Sequence, residues 1–131
     1  MGRFHKDIGN DKLNGTVSLL VDGDRRPVVC DRCVVADTPL RRLKGLLGRK
    51  GLASGEGILL YPASSIHTWF MRFPIDAVFV DRELSVVGIS ADVAPWHLTG
   101  RRRARAVLEL PAGECRRRGI EIGDRLRVEH V

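Results

Sequence analysis

From Gly57 to the C-terminus the apolar residues fall into segments of five to seven residues divided by turn formers, and this spacing constrains the chain to a sheet. The segments are Gly57–Tyr61, Ile75–Asp81, Leu84–Ser90, Arg105–Leu110 and Arg125–Val131. None is long enough to be read as a core helix, which needs about ten residues or more. Asp81-Arg82-Glu83 is too short to cross between parallel strands, so the segments on either side of it must form an antiparallel hairpin. Upstream, Thr16–Val21 and Pro27–Cys30 read as another hairpin around the turn Asp22-Gly23-Asp24. Asp37-Thr38-Pro39 is a helix start, and Leu40, Leu43 and Leu47 follow at helical spacing before Gly48 closes the helix. A second short helix is expected over Ala112–Arg118, ended by Gly119, with Gly123-Asp124 turning the chain into its last strand. The expected fold is therefore α+β: an antiparallel β-rich sheet curled into a small barrel-like domain with one or two short helices.

At 131 residues the chain suits one domain, expected over residues 16–131 behind a polar and disordered leader, residues 1–15. The residues are 44% hydrophobic and 29% charged, which is globular composition. There is no signal-peptide core and no apolar run of about 18 residues, so export and a membrane-embedded role are not expected. Position 6 is Lys where a myristoylation signal wants Ser or Thr. Three cysteines are an odd number, which favours reduced thiols and the cytoplasm.

The densest chemistry lies between two expected strands, over Ser64–Asp76: His67, hydroxyls, Trp69, Phe70, Phe73, Arg72 and Asp76. So many large apolar side chains predict that this loop folds inward and carries its polar groups with it. Asp76 would then begin an apolar strand face shared with Val78 and Val80, where its carboxylate must find a donor, with Arg72, His67 or loop amides the nearest in sequence.

The runs Ile66-His67-Thr68, Phe70–Asp76 and Val78-Phe79-Val80-Asp81 resemble the signature of domain-of-unknown-function family 192, an uncharacterised prokaryotic family. Gly45–Arg49, Pro95-Trp96, Val107–Gly113, Gly119 and Gly123-Asp124 add to the resemblance, which spans about residues 34–129. It implies a compact barrel-like domain with small helices and no catalytic role that could be transferred.

The main expectation is a pocket bordered by His67, Thr68, Arg72, Asp76 and Glu109, with Trp96 as a wall or lid, that takes a small-molecule ligand or a protein partner. Alternatively, His67 acts as a base with Asp76 or Glu109 as orienter or acid, although no nucleophile elbow accompanies it. A satisfied structural network of His67, Arg72 and Asp76 is the plainest reading. Glu109 is either a second acid in a shared cleft or a rim charge paired to an arginine, the latter favoured.

Cys30-Asp31-Arg32-Cys33 has dithiol spacing, but no further ligands are paired at metal-site spacing, so neither a metal nor any cofactor is expected. The net charge of +6 comes from 18 Arg and 4 Lys against 16 acidic residues. It raises nucleic-acid binding as a third reading, not favoured, with Arg101, Arg102 and Arg103 as the candidate anion contact.

Overall fold

The computed structural model describes residues 16–22, 28–38, 46 and 48–130. In chain order its strands are β1 (Thr16–Val21), β2 (Val28–Ala36), β3 (Glu56–Leu60), β4 (Ser65–His67), β5 (Ile75–Val80), β6 (Val86–Val93), β7 (Leu98–Gly100), β8 (Ala106–Pro111) and β9 (Leu126–His130), with helix α1 (Glu114–Arg118) between the last two. Seven strands form one sheet in the order β6-β5-β8-β3-β2-β1-β9, and β4 pairs with β7 in a separate ribbon.

The expected barrel does not form. Strands β6 and β9 remain the two edges of an open sheet, with no continuous strand pairing between them. They meet at their ends through the isolated bridge Ser85–Arg125 and its flanking backbone hydrogen bonds, Val86 N–H to Asp124 O and Leu126 N–H to Leu84 O, both 2.8 Å. Part of β6 is instead covered by the chain that follows it: Arg101 Nη2 donates to the Ile89 carbonyl at 3.2 Å, and Ser90 and Thr99 hydroxyls bond at 2.7 Å. An edge covered in this way does not need a strand partner.

The sheet is also not wholly antiparallel, because β2 runs parallel to β3. Such a pair needs a long crossover, supplied by residues 37–55. The helix expected over residues 39–47, with Leu40, Leu43, Leu47, Arg41, Arg42 and Lys44, falls in this crossover but outside the described residues, as do residues 1–15 and the turn at Gly23-Asp24. The β5–β6 hairpin forms as expected, and Asp81 Oδ1 accepts the Glu83 and Ser85 amides at 2.9 and 3.0 Å to close its turn. Strand β2 continues past Cys30 to Ala36. A register shift against β1 lets both Cys30 and Cys33 face inward although they are three positions apart.

All six residues of β5 and all six of β8 are buried. Their alternation feeds two apolar layers. One holds Val78, Val80, Leu108 and Leu110 with β1, β2 and Cys115. The other holds Ile75, Ala77, Phe79 and Val107 with Leu46, Ile58, Ile66 and Met71. Burial on both faces explains why these strands read as nearly continuous apolar runs.

Helix α1 is fastened to the sheet by a carboxylate. Glu114 is 1% exposed, and its oxygens accept the Gly55 amide at 2.9 Å, the Ser54 hydroxyl at 3.0 Å and Arg117 Nη2 at 2.9 Å. Arg118 pairs with Glu114 at 3.3 Å and reaches the Val28 carbonyl at 2.6 Å, tying the helix to β2. Burial pushes the Glu114 carboxyl upward, but the Gly55, Arg117 and Ser54 hydrogen bonds and the Arg118 charge outweigh it and hold it below the ordinary carboxylate range.

A lowered folded value means that this stability is present at neutral pH and is lost as pH falls through the acid range. Glu114→Gln is expected to cost about 2–4 kcal/mol at pH 7 and to flatten the acid limb of stability. Urea unfolding at pH 7 and at about pH 3.5 checks this, and a variant as stable as the parent at pH 7 would refute the fastening role.

Candidate functional site

The residues expected to line one pocket are distributed over separate environments. Asp76 is 1% exposed, and its two oxygens accept the backbone amides of Asp92 at 2.9 Å and Cys115 at 3.0 Å. The strand face that it opens is the one predicted, but its donors are backbone amides from β6 and α1 rather than Arg72 or His67. Glu109 lies opposite Ala77 and Ile58, whereas Asp76 lies opposite Leu110. Strand alternation therefore puts the two carboxylates on opposite faces of the sheet. They share no cleft.

His67 is exposed and stacks on Trp69 with ring centroids 4.7 Å apart. Arg72 is exposed. The His67–Asp76 pocket and the His/carboxylate acid–base pair are thus both overturned. Asp76 is sealed by amides, and among the described residues no group of three His, Cys, Asp or Glu could hold a metal ion.

Glu109 is neither a rim charge nor part of an ion pair among the described residues. It is 4% exposed in the second apolar layer, and burial pushes its carboxyl up to about 8. It is therefore a neutral acid at pH 7. Two of the cysteines, Cys33 and Cys115, are equally quiet. Burial raises the Cys33 thiol well above its ordinary value, with hydrogen bonding and charge from Cys30 adding to the effect, and it raises Cys115 to about 12, with Asp76 adding. Such thiols are poor nucleophiles.

Several of the described arginines are committed to the fold rather than to an anion footprint. Arg117 and Arg118 hold Glu114, and Arg101 lies 4.9 Å above the Phe79 ring while bonding Ile89. Gly88 permits this placement, since a Cβ there would come within 2.5 Å of Arg101 Nε. Arg102 and Arg103 are exposed in the turn closed by Ala104 N–H to the Arg101 carbonyl at 3.1 Å.

What does converge is a corner built on Thr68. Its side chain is wholly buried; Oγ1 donates to the Ala94 carbonyl at 2.7 Å and accepts the His97 amide at 2.9 Å. The Thr68 amide donates to His97 O at 2.8 Å, and its carbonyl accepts Trp96 N–H at 3.0 Å and Met71 N–H at 3.2 Å. One threonine thus locks the loop after β4 to the loop before β7. The ribbon continues the lock, with Ser65, Ile66 and His67 opposite Gly100, Thr99 and Leu98.

The locked corner turns apolar side chains outward. Trp69 is 47% exposed, Phe70 70%, Trp96 60% and Leu98 70%. Phe70 and Trp96 have ring centroids 4.7 Å apart, and both hold a left-handed backbone, with φ of 67° and 70°. A bulky residue pays roughly 1–2 kcal/mol for that conformation. The loop was expected to fold inward, and Ile66, Thr68 and Met71 are buried and Phe73 packs against the second apolar layer, but Trp69 and Phe70 stay outside. Trp69, Phe70 and Leu98 were missed as site residues. An aromatic-rich stretch signals burial from sequence alone, and sequence does not report the positive φ adopted at Phe70 and Trp96.

Comparison with known proteins places this architecture. Residues 21–128 match the DUF192 family, described as Uncharacterized ACR, and the chain belongs to that family. A UPF0127 protein of Pyrococcus furiosus is 30% identical over 99 residues, covering 70% of this chain and 81% of the relative. One from Pyrococcus horikoshii is 31% identical over 97 residues, covering 71% and 84%. A crystal structure of a protein of unknown function from Novosphingobium aromaticivorans superposes with a TM-score of 0.76 at 28% identity, covering 86% of this chain and 84% of that one. A protein from Sinorhizobium meliloti, provisionally described as a transcription regulator, also gives 0.76 at 25% identity, covering 86% and 92%.

Two outcomes are expected from this geometry. The raised folded value of Glu109 means that the folded state keeps a proton the unfolded chain releases, so stability falls between about pH 4.5 and 8 by on the order of 5 kcal/mol at most. Glu109→Gln should match the parent near pH 5 and exceed it above pH 8 in urea unfolding; equal pH profiles would contradict the buried neutral acid. Trp96→Gly should lose no more than about 1 kcal/mol, because relief at positive φ offsets the lost ring contact. A loss several times larger would show that the exposed indole serves the fold.

Proposed function

We propose that this member of the DUF192 family is a binding module that docks a partner protein on the corner formed by Trp69, Phe70, Trp96 and Leu98. The observation that carries the reading is the pairing of exposure with strain: two aromatics held in a costly backbone conformation and presented to solvent by a buried threonine. Strain of this kind persists where the surroundings over-determine it, and it clusters at ligand-contacting sites. Aromatics with one apolar face and little conformational freedom are favoured binding anchors. The exposed surface of the four side chains is roughly 500 Å², within the range of the largest patch on an ordinary monomer, which is often functional.

A protein that works through binding is compatible with the description carried by the Sinorhizobium meliloti relative. No described helix is long and apolar enough to cross a membrane. We also infer a reducing compartment, the cytoplasm, a reading supported by three buried free thiols.

The chain's two tryptophans both lie in the corner, so their fluorescence reports on it without background. Random peptides of about twelve residues displayed on phage should yield binders that shift this emission. The same binders should fail on Trp69→Ser/Trp96→Ser protein of unchanged melting temperature. Binders that hold equally well to the double variant would overturn the reading.

A further inference from the structure

Building on the docking reading, we propose that the partner is a short, extended, acidic segment whose apolar anchor sits on the aromatic corner and whose carboxylates lie over Arg102 and Arg103. Charge distribution is the first support. Residues 61–75 and 93–105, which supply both loops and the ribbon, contain five arginines (Arg72, Arg101, Arg102, Arg103 and Arg105) and no Asp or Glu. An even spread of the chain's 16 acidic residues would put about three there. Arg101 is engaged with Phe79 and Ile89, but Arg72, Arg102, Arg103 and Arg105 are exposed and form no ion pair among the described residues. Elsewhere Arg49, Arg117, Arg118 and Arg127 each have a carboxylate partner, while the exposed Arg32, Arg82, Arg116 and Arg125 have none among the described residues. What sets the corner apart is therefore its lack of acidic residues rather than its unpaired arginines.

Size selects the form of the occupant. A standard interface buries about 800 Å² on each partner, and roughly 500 Å² of exposed corner suits a short segment better than a folded domain. The ribbon's register sets the spacing. Leu98 faces His67, Gly100 faces Ser65, and the Arg101 amide continues the ladder to the Ser64 carbonyl at 2.9 Å. The chain runs extended from Leu98 to Arg101, about 10 Å, and the turn that carries Arg102 and Arg103 follows directly. An occupant lying along the ribbon therefore needs its carboxylates three or four positions from its anchor. Single-stranded nucleic acid would call for aromatics and cations interleaved along one track. Here the aromatics are gathered at one end of the ribbon and Arg102 and Arg103 at the other, with only Arg72 in the loop that carries Trp69 and Phe70.

The phage-selected, corner-dependent peptides test this directly. Their sequences are expected to place two or more Asp or Glu three to four positions from an aromatic or aliphatic anchor. A synthetic copy should bind about tenfold more weakly when its carboxylates become amides, and about tenfold more weakly to Arg102→Glu/Arg103→Glu protein. Affinity should also fall as salt rises from about 50 to about 300 mM. Both arginines are exposed, so an unchanged melting temperature verifies that the variant is folded. Corner-dependent peptides that are neutral or basic, or that ignore the charge reversal, would overturn the acidic-segment proposal while leaving docking intact. Failure to recover any corner-dependent peptide would remove both. Oligothymidylate that shifts the tryptophan emission at lower concentration than the peptide would replace the acidic segment with nucleic acid.

Discussion

The structure depends on two strands, β5 and β8, that are buried on both faces and pair along their whole length. No side chain on them can turn to water, so each polar group must be satisfied by the protein or lose its charge. Asp76 takes the first course, with two backbone amides bringing β6 and α1 onto the end of β5. Glu109 takes the second, one residue out of phase and therefore on the opposite face. The two carboxylates most suggestive of acid–base chemistry are thus separated by the sheet and assigned to stability.

With the centre of the sheet committed to packing, binding chemistry is left to the ribbon of β4 and β7. Thr68 is the joint. Its buried hydroxyl and both its backbone groups are engaged, so the loops it joins hold Phe70 and Trp96 in conformations they would otherwise avoid. The free energy stored there is small beside the burial in β5 and β8, which is why the fold can sustain it. Exposed rings that are already held in place lose little freedom when a partner covers them, and such preorganisation favours affinity.

Much of the sheet was legible in the sequence because strands buried on both faces announce themselves as short apolar runs. The β5–β6 hairpin, the face begun by Asp76 and the α1 turn at Gly119 all follow from local pattern. The parallel β2–β3 pair did not, since its cause is a crossover whose geometry no periodicity reports. The open sheet was misread as a barrel because strand count does not specify whether edges meet. At the candidate site, the segment His67–Asp76 was found but its interior was inverted. Composition could not show that Thr68 would be buried while Trp69 and Phe70 were presented outward. Glu114 was missed because a carboxylate beside three arginines reads as a solvated helix end.

The Thr68-locked corner is the surface on which we propose that this protein meets its partner. Hydrogen exchange of the parent protein with and without a corner-dependent peptide tests it most directly. Protection is expected to gather in residues 64–73 and 94–103, with the amides of β1, β2 and β9 unaffected. Protection centred on the β9 edge or on α1, with the corner unchanged, would contradict it.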